Sequence, residues 1–277
     1  MKYIKIGNIY MSTRTKSGFL LSVLPNTSVG TMKYKKTEYI DTDGAEFSEM
    51  LYQPRTMTIN GYIMANSNSE LREHRKKILN ELNSKELQKM EYFDGRNKYT
   101  ASVLVDGTVN IGKVINNIVA PFSFNLIIPG FYFKAEKPTI QKLYEREDLV
   151  KGTFEIPEEG IMFTKRRNRA YIKNKGGVAV HPLLELKCVE EKTEKGIEIY
   201  NNTTGEYIKL NYQPTAGEAI TVDCENITVI SSLNGNIIST VTPDSTFFKY
   251  IKGTTEVEIK THGVTVTSSF KELYTGV

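Results

Sequence analysis

The feature that most constrains this chain is a short-range alternation of apolar and polar residues that recurs along its length. Residues 56–62 and 122–128 both place an apolar side chain at every second position. A period of two is typical of β-strands that bury one face. Turn-forming pairs such as Asp94-Gly95 separate these runs and favour tight connections between neighbouring strands. The pattern predicts a mainly β fold.

One segment departs from this period. Ser67 followed by Glu70 fits a helix capping box, and Leu71 and Ile78 lie on one stripe of a 3.6-residue repeat. This spacing predicts a single helix, inserted among the strands of the first half, from about Glu70 to Asn83.

The composition shifts near residue 135, where an aromatic run gives way to a mostly polar and charged stretch. A chain of 277 residues is long enough for two domains of ordinary size, so we expect domains at 1–134 and 135–277. In the second, short strand-like runs separated by turn signals predict an antiparallel sandwich. The candidate strands are Ala170–Lys173, Leu183–Cys188, Ile197–Tyr200, Tyr207–Leu210, Ala219–Asp223, Ile227–Ile230, Ile237–Val241, Glu256–Ile259 and Val264–Ser268.

Charge and composition argue against several partner classes. The 36 basic and 32 acidic residues are interspersed, whereas a dedicated nucleic-acid binder concentrates positive charge. No apolar run approaches the roughly 20 residues of a membrane-spanning helix, and the N-terminus lacks the apolar run of a signal peptide. We therefore expect no specific nucleic-acid binding and no membrane insertion. Cys188 and Cys224 are expected to be reduced, semi-buried and unpaired.

The sequence offers no recognisable site for chemistry. His74, His181 and His262 form no metal-binding motif, and no glycine-rich phosphate loop occurs. The segment 41–44 begins like a calcium loop but lacks the later ligands, which favours a turn. Carboxylates near 158–159 and 190–194 are expected to be solvated. We predict a protein that is not an enzyme, with no catalytic, cofactor-binding or metal-binding residues.

The order of several weak motifs is more informative than any one of them. The first half contains, in order, Gly18-Phe19-Leu20-Leu21, Asp43-Gly44-Ala45, the run from Tyr52 to Gly61, the helix, and Tyr92-Phe93-Asp94-Gly95-Arg96. The second half contains Ile172-Lys173-Asn174, His181-Pro182, the run from Ile199 to Glu206, Ala216-Gly217-Glu218, and Asn234-Gly235-Asn236. In this order and spacing, nearly the whole chain resembles the phage distal tail protein family.

The resemblance implies a β-sandwich-like domain with one inserted helix, followed by a galectin-like antiparallel β-sandwich. It also implies a homohexameric ring at the tip of the virion tail, assembled in the cytoplasm of the bacterial host. The ring would connect the tail tube protein and the tape measure protein to the tail hub or tail-associated lysin and to the receptor-binding protein. Galectin-like sandwiches often bind glycans, so a carbohydrate-binding protein acting in recognition of the host surface remains the alternative.

A closed ring needs two different patches on each subunit, and exposed strand edges are candidates for them. We expect such edges around 18–23 and 85–93. The predicted interface residues are Gly18, Phe19, Leu20, Leu21, Lys85, Leu87, Met90 and Tyr92. A ring through which DNA passes should not hold it, so we expect the basic cluster at 165–169 to face away from the pore.

Overall fold

The computed structural model of the chain describes residues 1–38, 45–83, 85–144, 168–189, 196–261 and 263–277. Within these residues the fold is mainly β with one α-helix, which confirms the predicted fold class. The chain divides into two compact units, Met1–Glu136 with Leu273–Val277, and Lys137–Glu272. The last residues were expected in the second domain, 135–277. Instead they return to the first unit, so the second unit is an insertion in the first.

Ten strands and the helix of the first unit precede the second unit along the chain. They are β1 (Tyr3–Ile6), β2 (Ile9–Ser12), β3 (Gly18–Leu21), β4 (Met32–Glu38), β5 (Ala45–Tyr52), β6 (Arg55–Met64), α1 (Asn68–Glu81), β7 (Gln88–Phe93), β8 (Lys98–Ile111), β9 (Val119–Ile128) and β10 (Phe133–Ala135).

Seven of these strands form a barrel in the order β1, β2, β3, β6, β9, β8, β7 and back to β1. The long strand β8 makes the closure possible, because residues 98–103 pair with β7 and residues 104–111 lie along β9. All pairs are antiparallel except β2 with β3. The predicted sandwich-like domain is thus one sheet that closes on itself, and closure removes free strand edges.

The barrel interior is filled by the alternating residues that the sequence placed on one face. Along β6 every second residue from Arg55 to Ile63 is buried, as a half-buried strand requires. Gly61 is one of these inward positions. A Cβ there would lie 2.3 Å from the carbonyl oxygen of Leu20 and 2.6 Å from the ring of Phe122, so no larger residue fits.

The helix α1 packs its apolar stripe against the same core, and Leu71, Ile78 and Leu82 are buried in it. Its cap is the predicted one, because the Ser67 hydroxyl accepts a hydrogen bond from the Glu70 backbone N–H at 3.2 Å. The Glu70 carboxylate in turn accepts from the backbone N–H of Asn66 at 2.7 Å. The helix begins and ends two residues earlier than the sequence pattern suggested.

The second unit consists of two antiparallel sheets, a six-stranded one in the order β11, β20, β13, β16, β17, β18 and a four-stranded one in the order β12, β19, β14, β15. The elements are β11 (Thr139–Tyr144), β12 (Arg169–Asn174), β13 (Leu183–Cys188), β14 (Ile197–Asn201), β15 (Glu206–Leu210), β16 (Ala219–Asp223), β17 (Thr228–Ser231), β18 (Gly235–Asn236), a 3-10 turn (Ile238–Thr240), β19 (Gly253–Ile259) and β20 (Val264–Phe270).

Two features of this half differ from the prediction. The strand expected at Ile237–Val241 is a 3-10 turn, because the Asn236 side chain accepts from the Ile238 N–H and the Thr240 N–H donates back to the Ile237 carbonyl. After β20 the chain leaves the second unit and forms β21 (Leu273–Tyr274), which pairs with β10 of the first unit. Neither feature has a signal in the local periodicity.

Candidate assembly surface

Strands β4 and β5 form a separate two-stranded hairpin in the first unit. In the described part of the chain, neither strand pairs with any strand outside this hairpin. A lone hairpin is marginally stable in water unless another surface covers it. The hairpin is therefore the part of the first unit that most clearly calls for a partner.

One face of the hairpin is apolar. Cross-strand partners point to the same side, and the register pairs Tyr34 with Met50, while the bulge after Lys35 brings Phe47 to that side as well. The Tyr34 and Phe47 rings lie 5.0 Å apart in an edge-to-face arrangement. We call Met32, Tyr34, Phe47 and Met50 the apolar face; their exposed fractions are 47%, 55%, 54% and 70%.

The opposite face is more polar. It carries the cross-strand pair Lys35 and Glu49, with Lys33 opposite Leu51. The hairpin is thus an amphipathic ribbon. On its apolar side Tyr52, the cross-strand partner of Met32, stacks on Phe131 at 4.6 Å. Lys36 lies opposite Phe47, while the four residues of the apolar face remain exposed. Exposed apolar patches of this kind mark interaction sites in soluble proteins.

The first group of predicted interface residues lies on β3, which is not an edge strand. It lies between β2 and β6, and the side chains of Phe19 and Leu21 are buried in the barrel, while Gly18 and Leu20 are half-buried. The expectation of a free edge here was wrong, because β2 and β6 pair with its two sides.

The strand of the second group of predicted interface residues, β7, is not an edge strand either. β7 lies between β1 and β8, and Met90 and Tyr92 are buried in the core. Lys85 and Leu87, in the connection before β7, are exposed. Of the eight predicted residues, these two offer the most open side chains, and their role in an interface stays a prediction.

The hairpin was not among the predicted interface segments. Part of its signal was present in β4, where Met32 and Tyr34 alternate with lysines, but β5 does not keep this alternation. What the sequence did not reveal is that Met32, Tyr34, Phe47 and Met50 remain exposed in the folded chain.

A buried carboxylate organises one loop of the second unit. Glu218 accepts hydrogen bonds from the Tyr212 hydroxyl at 2.5 Å, from the Thr215 N–H at 2.9 Å and from the hydroxyl of Ser231. Burial raises the pKa of its carboxyl, but these hydrogen bonds outweigh burial and hold the pKa below its ordinary value. Glu218 is a structural anion that fixes the connection between β15 and β16.

The local environments of the cysteines and histidines are also structural. Cys188 and Cys224 are buried more deeply than the predicted semi-buried positions, and the Cys188 thiol lies 3.8 Å from the Pro214 carbonyl oxygen. Burial raises the pKa of the Cys224 thiol to about 12, so the reactive thiolate does not form near neutrality. His74 lies 3.5 Å from the Glu70 carboxylate, and burial lowers the pKa of His181. His262 lies outside the described residues.

No three of the described histidines, cysteines and carboxylates come together in a way that would hold a metal ion. The carboxylate clusters predicted near 158–159 and 190–194 and the segment 41–44 lie outside the described residues. No helix in the described part of the chain has the length and apolar character that crossing a membrane requires.

The basic cluster at 165–169 is described only from Asn168 onward. Arg169 is exposed on β12 and pairs with Glu256 at 3.1 Å and with Glu258 at 3.4 Å. Its charge is therefore locally balanced. The expectation that the cluster faces away from a pore stays a prediction.

Comparison with known proteins identifies a phage tail domain in each unit. The phage tail protein RIFT-related domain matches residues 10–127, and the siphovirus-type tail component, C-terminal domain, matches residues 175–274. The Dit protein of phage SPP1, described as a paradigm of the hub adsorption apparatus in phages infecting Gram-positive bacteria, has a similar fold. Its TM-score is 0.74 at 11% identity over 99% of both chains.

Two baseplate structures of phage P2, in the activated conformation with Ca and with Sr, contain more distant matches. They align at 10% and 11% identity over 97–98% of this chain and 98% of theirs, with TM-scores of 0.47. None of the curated protein sequences matches this chain.

A RIFT-related tail domain followed by a siphovirus-type tail domain defines a structural component of a phage tail. The chain belongs to the phage distal tail protein family, as the order of its motifs indicated. Its place is the virion tail.

Proposed function

We propose that this chain forms a closed ring of identical subunits at the tail tip and that the apolar face of the β4–β5 hairpin makes the contact between neighbours. The single observation that carries the proposal is that this face is about half exposed or more at all four of its side chains. The number of six subunits comes from the resemblance to the family. The proposed neighbours along the tail are the tail tube protein, the tape measure protein, the tail hub or tail-associated lysin and the receptor-binding protein.

A ring also requires a second patch of different shape on the same subunit. The barrel wall carries a depression of about 340 Å³ between β6, β8 and β9. Tyr62, Pro121 and Phe122 supply its apolar lining, and Asn60 and Asn110 supply amides. The exposed apolar face and the partly apolar wall depression are two different surfaces of one subunit, as a head-to-tail contact requires, which supports a second copy as the occupant of the hairpin face.

The alternative of carbohydrate binding has a weaker basis in the second unit. Tyr200 and Tyr207 stack at 5.3 Å on the four-stranded sheet, which is a possible sugar platform. However, the Lys260 ammonium lies 3.7 Å from the centre of the Tyr200 ring, so a cation already occupies one face of that ring. We therefore favour the ring.

Light scattering coupled to size exclusion, over a wide range of protein concentration, tests the proposal. We expect a species close to six times the 31.4 kDa chain, with ring-shaped particles in negative stain. A chain that stays monomeric at all concentrations, and that also fails to incorporate into tails lacking it, would contradict the ring. Binding of the monomer to host wall glycans would favour the alternative.

A further inference from the structure

The root of the hairpin, residues 26–31 on the entering side and 53–55 on the leaving side, is built around one buried cation. Arg55 is the first residue of β6, and its side chain is only 6% exposed. Its guanidinium donates to the carbonyl of Asn26 at 3.3 Å and to the carbonyl of Ser28. Arg55 thus ties the strand that leaves the hairpin to the loop that enters it.

The same guanidinium reaches a third segment. It donates to the carbonyl of Thr275 at 3.1 Å, in the stretch by which the chain returns from the second unit. Its planar group also lies over the ring of Phe133 on β10, 5.1 Å from the centre. No carboxylate within the described ranges forms an ion pair with Arg55, so carbonyl oxygens and a ring face satisfy this buried charge.

The returning segment contacts the root directly as well. The Val277 N–H donates to the Thr27 carbonyl at 3.1 Å, and the Thr27 hydroxyl donates to the Val277 carbonyl. At Gly276 a Cβ would approach the Thr27 carbonyl oxygen to 3.0 Å, so the two backbones are closely packed. The pairing of β21 with β10 fixes where this segment begins.

We infer that Arg55 is a positioning residue for ring assembly: with residues 273–277 it holds the hairpin root so that the apolar face is presented to a second copy of this chain. The inference rests on the proposed function. Under this inference residues 273–277 hold the root of a hairpin that lies far from them in the sequence.

The geometry favours arginine over other cations at this position. A guanidinium offers five donors in a planar fork, and here it reaches carbonyls from two separate segments while stacking on a ring. Lysine would keep the charge but could not bond all three carbonyls in the same geometry. The conservative variant is therefore expected to restore only part of the effect.

The experiment compares Arg55→Met, Arg55→Lys and wild type, with Arg72→Met on the exposed side of α1 as the matched control. Amide hydrogen exchange is measured on dilute, unassembled protein, and assembly is measured by light scattering. In Arg55→Met we expect exchange in residues 26–38 and 45–54 to rise at least tenfold while β7 and β8 stay protected. The concentration for half assembly should rise at least tenfold, with Arg55→Lys in between and Arg72→Met at wild type.

Should Arg55→Met unfold the whole barrel, Thr27→Val serves instead, because it leaves Arg55 in place and removes only the contacts of the Thr27 hydroxyl to Val277 and Tyr92. A several-fold rise confined to the same residues is then expected. Unchanged exchange at the root, or a rise spread evenly over the barrel, overturns the inference. If the wild-type chain never assembles but exchange at the hairpin root still rises in Arg55→Met, the result contradicts the proposed ring. It does not contradict the role of Arg55 in holding the root.

Discussion

The apolar face of the hairpin gives a prediction whose size can be worked from the structure. Changing Phe47 and Met50 together to threonine removes two large side chains and keeps residues that suit a strand. Full burial of such a side chain contributes about 1.5–3 kcal/mol, and these two are 54% and 70% exposed in the single chain. Burying the exposed part of each side chain in a ring contact would therefore contribute roughly 1–2 kcal/mol.

Together the two changes should cost about 2–3 kcal/mol per contact, which weakens each contact roughly 30- to 150-fold. The stability of the barrel should not fall, because neither side chain belongs to its core. Sedimentation velocity over a concentration series would report the shift in assembly, and thermal unfolding of dilute protein would report the fold.

The matched control lies on the other side of the same ribbon. Lys35 and Glu49 are cross-strand partners, so changing both to threonine alters the polar face without changing net charge. We expect this control to assemble within a few-fold of wild type. If control and apolar-face variants lose assembly equally, or if the apolar-face variant assembles normally, the assignment of this face to the subunit contact is refuted.

Three further predictions concern the stability of the two units. Gly61→Ala should destabilise the barrel by about 1–3 kcal/mol in urea unfolding, because the added Cβ meets the Leu20 carbonyl, whereas Gly30→Ala, in open space, should be neutral; equal midpoints for both would contradict this. Since the folded pKa of Glu218 is lowered, its stabilisation is complete above the ordinary glutamate pKa and is lost as the pH falls through the folded value. Glu218→Gln should therefore flatten the acid side of the stability curve of the second unit, and an unchanged acid limb would count against the buried anion. Ser67→Ala removes the helix cap and should cost about 1 kcal/mol, with Ser69→Ala inside the exposed first turn as the control.

Much of this protein could be predicted from local sequence because strand and helix periods report which side of each element is buried. The turn after β7 forms as Asp94-Gly95 indicated, with the Asp94 carboxylate accepting from the N–H groups of Arg96 and Asn97. The helix followed from its cap and stripe. Family membership followed from the order of short motifs, which no single motif could have shown.

The tertiary structure decided which strands have neighbours. We expected edge strands around 18–23 and 85–93, yet β3 pairs with β2 and β6, and β7 pairs with β1 and β8. Alternation specifies an inward face, but it does not specify the partner strand, which lies far away in sequence. The open face of β4 and β5, and the return of residues 273–277 to Arg55, depend on such long-range pairing, and for that reason only the folded chain revealed them.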